Sequence, residues 1–149
     1  MAPLVGSGIW FGSGAMVFIF VTNASSDTVQ PFFYNASGAL TAGTAVATGN
    51  NPHGMAVDTT NHLIFVTNAN SDTVQPFSYN ASGALTAGTA VATGTNPETV
   101  AVDTTNHLIF VTNFKSDTVQ PFSYNAATGA LTAGTAVATG TYPEGVAIT

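Results

Sequence analysis

Few side chains in this sequence could do chemistry, and most of them recur at a fixed spacing. Asp27, Asp72 and Asp117 each stand in the same text, Ser-Asp-Thr-Val-Gln-Pro-Phe. His53, Glu98 and Glu144 each follow a proline in a second shared segment. An arc of carboxylates with a histidine could hold a hard cation such as calcium, which wants several oxygen ligands. The plainer reading needs no cofactor: each aspartate caps its own turn by accepting from nearby backbone N–H groups. A histidine beside a carboxylate can do general acid/base work if both reach one substrate proton. For His53, Glu98 and Glu144 the plainer reading is a solvated loop position that drifts freely. All six are candidate ligand-facing residues, and none is assigned a catalytic role. His62 and His107 repeat with the text and read as turn or strand-start residues. Lys115 and Phe114 replace Ala69-Asn70 of the preceding copy, where one lysine reads as surface decoration.

Composition excludes several partners. The formal charge is −6 with a single lysine and no arginine. Phosphate backbones are held by clustered Lys and Arg, so nucleic acid is excluded. Anionic lipid wants a polybasic segment that is also missing. Without cysteine there is neither a disulfide nor a thiolate metal site. Residues 4–22 are uncharged and long enough by count to cross a bilayer. No Lys or Arg precedes them, Gly and Ser interrupt them, and their end, Phe20-Val21-Thr22-Asn23, opens a repeat. An irregular first strand is preferred, and no membrane insertion is expected.

The elements that position these residues come from a repeat. The text starting at Phe20 recurs at Phe65 and Phe110, with a period of 45 residues. Copies one and two differ at six places: Ser25/Asn70, Phe33/Ser78, Asn50/Thr95, His53/Glu98, Gly54/Thr99 and Met55/Val100. Copy three adds one residue in Asn125-Ala-Ala-Thr-Gly129, an insertion that a hairpin loop tolerates. Turn clusters divide a copy into four β-type runs: 62–67, 73–79, 84–93 and 98–102. Four short antiparallel strands per copy are the size of one propeller blade.

Phe65-Val66-Thr67-Asn68 resembles the Tyr-Val-Thr-Asn signature of the YVTN β-propeller repeats. Pro52-His53-Gly54-Met55-Ala56-Val57-Asp58 and Pro143-Glu144-Gly145-Val146-Ala147-Ile148 are similar to that family's Pro-x-Gly-Val-Ala-Val-Asp segment. Ser82-Gly83-Ala84-Leu85 and Thr128-Gly129-Ala130-Leu131 resemble its Thr-Gly-x-Leu hairpin. By pattern the nearest relatives are lactonase-like propellers, which include 6-phosphogluconolactonases. The resemblance covers about residues 16–149 and implies an all-β fold of about three four-stranded antiparallel blades, partial or oligomer-completed.

Expectations about the ends and the strands follow. Residues 1–15 form an irregular segment or a degenerate inner strand, since Ile9-Trp10-Phe11-Gly12 aligns without a gap to Thr99-Val100-Ala101-Val102. Residues 143–149 form an unpartnered inner strand. Three blades cannot enclose a channel, since propellers use roughly four to eight. Self-association is therefore expected to complete the ring, the spare C-terminal strand entering the incomplete first blade of another chain. Pro31, Pro76 and Pro121 fall inside the second run, where a missing N–H should produce a bulge or a break.

The resemblance implies hydrolysis of a sugar lactone, but a phosphorylated lactone would be expected to need Arg or Lys. Near-identical copies have diverged little toward the asymmetric roles of an active site. The favoured function is thus a non-enzymatic scaffold binding protein or glycan ligands by repetition. A lactonase-like hydrolase is the alternative. Asn23-Ala-Ser25, Asn35-Ala-Ser37 and Asn80-Ala-Ser82 match glycosylation acceptors, as chance allows in an Asn/Ser-rich chain. The resemblance implies a location outside the cytoplasm, since YVTN proteins include surface and periplasmic members.

Overall fold

A computed structural model describes residues 16–149. The suggested inner strand at 9–12, with the rest of 1–15, lies outside the described residues. The first copy folds as β1 (Phe18–Asn23), β2 (Thr28–Tyr34), β3 (Leu40–Ala42) and β4 (Val46–Ala47). The second comprises β5 (Pro52–Asp58), β6 (Leu63–Asn68), β7 (Thr73–Tyr79), β8 (Leu85–Ala87) and β9 (Val91–Ala92). The third repeats this as β10 (Pro97–Asp103), β11 (Leu108–Asn113), β12 (Thr118–Tyr124), β13 (Leu131–Ala133) and β14 (Val137–Ala138). No helix occurs among the described residues.

Each copy is one antiparallel sheet, ordered β5-β6-β7-β8 in the second blade, with β9 also pairing β7. The third blade has the same order, and the first runs β1-β2-β3 with β4 on β2. Among the described residues the first blade thus has no counterpart of β5 and β10. The inner strands β5 and β10 lie against each other, so successive blades fan around them. Residues 143–149 have no ladder partner among the described residues and are assigned to no strand. Extended backbone becomes a β-strand only when its N–H and C=O groups find a ladder partner.

The expected break at the prolines is displaced. β7 runs unbroken through Pro76, paired in register with Phe65 of β6. It is the outer strand that breaks, β8 pairing 77–79 of β7 and β9 pairing 73–74. Pro76 turns its donorless nitrogen toward that gap, where its carbonyl still accepts from Gly88 N at 2.8 Å. Gln75 Nε2 closes the gap by donating to Gly88 O at 3.0 Å. The third run, expected over 84–93, is therefore two short strands with an extra residue between them. A Cβ on Gly88 would lie 2.9 Å from Pro76 Cγ and 3.0 Å from its carbonyl oxygen. Gly88→Ala is expected to cost about 1–3 kcal/mol by overpacking. Gly140→Ala, with nothing within 4 Å, is expected to leave the melting curve unchanged. Equal melting of the two variants would count against this account of the gap.

Two apolar clusters fill the seams between blades. Ile64, Val66 and Phe77 pack with Val29 and Phe20 of the first blade. Leu63, Phe65 and Val74 pack with Ile109, Val111, Phe122 and Tyr124 of the third. Alternate residues of β6 thus enter opposite seams, and the strand reads as a continuous apolar run because both of its faces are buried. The added residue of copy three stays in its hairpin. Tyr124↔Leu131 pairs as Tyr79↔Leu85 does, and Gly129 and Gly83 turn with φ of 75° and 78°.

Candidate functional site

The turns β1–β2, β6–β7 and β11–β12 and the links that follow β4, β9 and β14 gather at one end of the blades. Asp27, Asp72 and Asp117 close those turns with φ of 53°. Their carboxylates do not cap their own turns. Each reaches the following link, Oδ1 accepting from Asn51 N, Asn96 N and Tyr142 N, all at 2.8 Å. The same residues accept from Thr48 N, Thr93 N and Thr139 N through their backbone carbonyls at 2.9 Å. The recurrent aspartates are therefore clamps between turn and link. Among the described residues no group of three or more His, Asp or Glu side chains is placed to hold a metal ion.

Two of the second set are brought together. His53 Nδ1 lies 3.1 Å from Glu98 Oε1, with the histidine half exposed and the glutamate mostly covered. This is the single side-chain ion pair among the described residues. Glu144 lies in the unpaired 143–149 segment and makes no hydrogen bond or ion pair with another described residue.

The backbone explains the approach. Both inner strands carry an irregularity at this point, with register shifts at Pro52/Met55 and Pro97/Val100. Thr67 sits under both, accepting from Gly54 N at 2.8 Å and donating to Glu98 O at 3.1 Å. Thr22 makes the equivalent bond to His53 O, at 3.1 Å. Thr22 of the first blade and Thr67 of the second thus each pin the next blade's inner strand. A Cβ on Gly54 would meet Glu98 O at 2.5 Å and Thr99 Cα at 2.7 Å. Only glycine lets β5 come this close to β10 and bring His53 within reach of Glu98. At the third blade, Phe114 and Tyr142 stack on the same end, with ring centroids 4.8 Å apart.

At the opposite end a group appears that the sequence reading missed. Asp58 is fully buried, and its Oδ2 accepts from the Tyr124 hydroxyl of the next blade at 2.7 Å. Asn61 Nδ2 donates to the same oxygen at 2.7 Å, while Thr60 N and Asn61 N reach Oδ1 at 3.0 Å. Burial alone would raise the Asp58 pKa, but these bonds, led by Asn61 and Tyr124, hold it below its ordinary 3.8. Burial, the bond to Asp58 and its charge push the Tyr124 phenol well above 10.0. The signal was available, since an aspartate and a tyrosine recur once per period at these positions. His62 and His107 occupy turns with φ of 55° and 54°. Their rings meet Tyr79 and Tyr124 edge-on, in keeping with turn residues. A cleft of about 290 Å³ lined by Pro31, Phe33, Val46 and Leu85 carries no titratable side chain.

Comparison with known proteins places this architecture. A family model described as lactonase, 7-bladed β-propeller, matches residues 13–90 and 77–148. No curated protein sequence matches. The periplasmic gluconolactonase of Pseudomonas aeruginosa superposes with a TM-score of 0.78 at 20% identity, over 91% of this chain and 40% of that one. A provisional 6-phosphogluconolactonase of Bacteroides uniformis gives 0.80 at 20% identity, over 89% of this chain and 41% of its own. Hydrazine synthase of Kuenenia stuttgartiensis gives 0.67 at 20% identity, over 84% of this chain and 33% of that one. The chain thus spans about two fifths or less of the length of these proteins. At such identities the likeness concerns the fold, which several chemistries share.

Proposed function

This chain belongs to the lactonase family of seven-bladed β-propellers, and from that premise we propose that it carries part of the site of a sugar-lactone hydrolase. Family membership favours this over the non-enzymatic scaffold that the near-identity of the copies suggested. The observation that carries the reading is the pair of His53 and Glu98, from adjacent inner strands at one end of the blades. Glu98 at Nδ1 orients the imidazole and leaves Nε2 to take a proton from water. The water oxygen then adds to the lactone carbonyl. Cleavage of the ring C–O bond follows, and the departing ring oxygen takes the proton back from His53 to give the open hydroxy acid.

With no arginine and a single lysine, the chain offers little to hold a phosphate, so an unphosphorylated aldonolactone is the proposed substrate. No helix among the described residues is long and apolar enough to cross a membrane. With a periplasmic gluconolactonase among the similar structures, a location outside the cytoplasm suits the reading. The test is hydrolysis of glucono-1,5-lactone and of its 6-phosphate, followed by proton release. Turnover of the unphosphorylated lactone above the spontaneous rate is expected. No turnover of either would return the chain to the scaffold reading.

A further inference from the structure

The repeat leaves two blade faces uncovered, and they are the two halves of an interface that the chain already makes twice. On the first blade, Ile19 and Val21 are each 38% exposed, whereas their counterparts Ile64 and Val66 are fully buried against the preceding blade. On the third blade, Leu108, Phe110 and Val119 are partly exposed, whereas Leu63, Phe65 and Val74 are buried against the following blade. The polar latch is divided in the same way. Asp58 holds Tyr124 of the next blade, but Asp103 at the matching place has only Thr105 and Asn106. Tyr34, 41% exposed, meets no carboxylate among the described residues.

The strands are divided too. Among the described residues β1 lacks an inner partner and 143–149 lacks any partner. Their residues fit the ladder already formed by β10 and β11. There Pro97 faces Asn113, and Val100, Ala101 and Val102 face Val111, Phe110 and Ile109. In the same register Pro143 would face Asn23, and Val146, Ala147 and Ile148 would face Val21, Phe20 and Ile19.

We infer that a second copy of this chain docks head to tail, its first blade on the third blade of the other. Residues 143–149 of one copy pair with β1 of its neighbour, and Asp103 accepts from the neighbour's Tyr34 hydroxyl. The interface continues the geometry of the two internal seams, with the same residue types on both sides. Because both halves lie on one chain, the contact is heterologous and can be repeated from copy to copy. Docking also fixes Glu144 on an inner strand beside Glu98, extending the His53–Glu98 rim. The inference goes beyond the lactonase reading, and its readout is mass rather than turnover.

Sedimentation of the full chain over a wide dilution series should show twice the mass of one chain, or higher multiples. Val21→Lys, at an already exposed position, should return it to a monomer with an unchanged circular dichroism spectrum. With no native cysteine, the Val21→Cys/Val146→Cys double variant should form covalent dimers on oxidation. A monomeric mass throughout, with no covalent dimer, overturns the inference. Association that survives Val21→Lys overturns it as well.

Discussion

Asp58→Ala is expected to destabilise the fold by about 3 kcal/mol, because hydrogen bonds to a buried carboxylate contribute about 1.5–3 kcal/mol each. The substitution leaves the Tyr124 hydroxyl and the Asn61 side-chain amide without their acceptor at the seam between the second and third blades. For a chain of this length the melting temperature should fall by roughly 6–12 °C. Tyr124→Phe removes one of the four bonds and should cost less. Asp103→Ala is the control. It loses equivalent bonds within its own turn but none to another blade, and should change the melting of dilute protein little. Equal losses at Asp58 and Asp103 would show that the turn, and not the bond across the seam, is what matters.

The same latch gives stability a pH dependence with two arms. The Asp58 pKa is lower in the folded state. Its contribution is therefore complete above the ordinary value of 3.8 and is lost as pH falls through the lower folded value. The Tyr124 pKa is higher in the folded state, so its contribution is complete below 10.0 and is lost as pH rises toward the folded value. Denaturant midpoints should be flat between these limits, and Tyr124→Phe should lessen the alkaline decline, leaving the part due to Tyr79, whose phenol pKa is also raised by burial. A decline that begins near neutrality would point to another group.

The second large effect concerns activity. If His53 is the general base, His53→Ala should lower kcat for lactone hydrolysis by about 10²-fold to 10⁴-fold. Glu98→Gln keeps an acceptor beside Nδ1 but removes the charge that stabilises the imidazolium, so a smaller loss with little change in KM is expected. Neither side chain is in the apolar seams, and both variants should melt with the unmodified protein. Full activity in His53→Ala, measured on a protein that does turn over lactone, would remove the pair from the mechanism and leave the family assignment intact.

The strands were legible because the turn residues that separate them are. β7 ends where Tyr79 meets an Asn-Ala-Ser-Gly turn, and β10 starts at the proline of its link. What stayed hidden involves partners far apart in the chain. Pro76 does not break its own strand, because its missing donor faces a gap in the outer strand, which a reading along one strand does not contain. Asp72 bonds an amide 24 residues later, whereas turn chemistry in a sequence suggests amides two or three residues on. Of the site, His53 and Glu98 stood out because the copies differ there, but their meeting depends on Gly54 and Thr67. Thr67 looked like an ordinary member of the repeat, and Gly54, although it differs from Thr99 in the next copy, carries no side chain to draw attention.

Near-identical text does not give the three blades equal resistance to opening. β6 is buried at every position, while β1 alternates between half-covered and exposed residues. In a linear array each unit draws stability from its neighbours, and the middle one has two. In the undocked chain, amide hydrogens of β6 and β7 should therefore exchange slowest, and those of β1 and β13 should exchange through fraying at a much lower free energy. A protease would peel the chain from its outer blades inward, although the cut sites it meets are spelled almost identically in each. Resistance to cleavage is then set by place in the row rather than by the residues themselves.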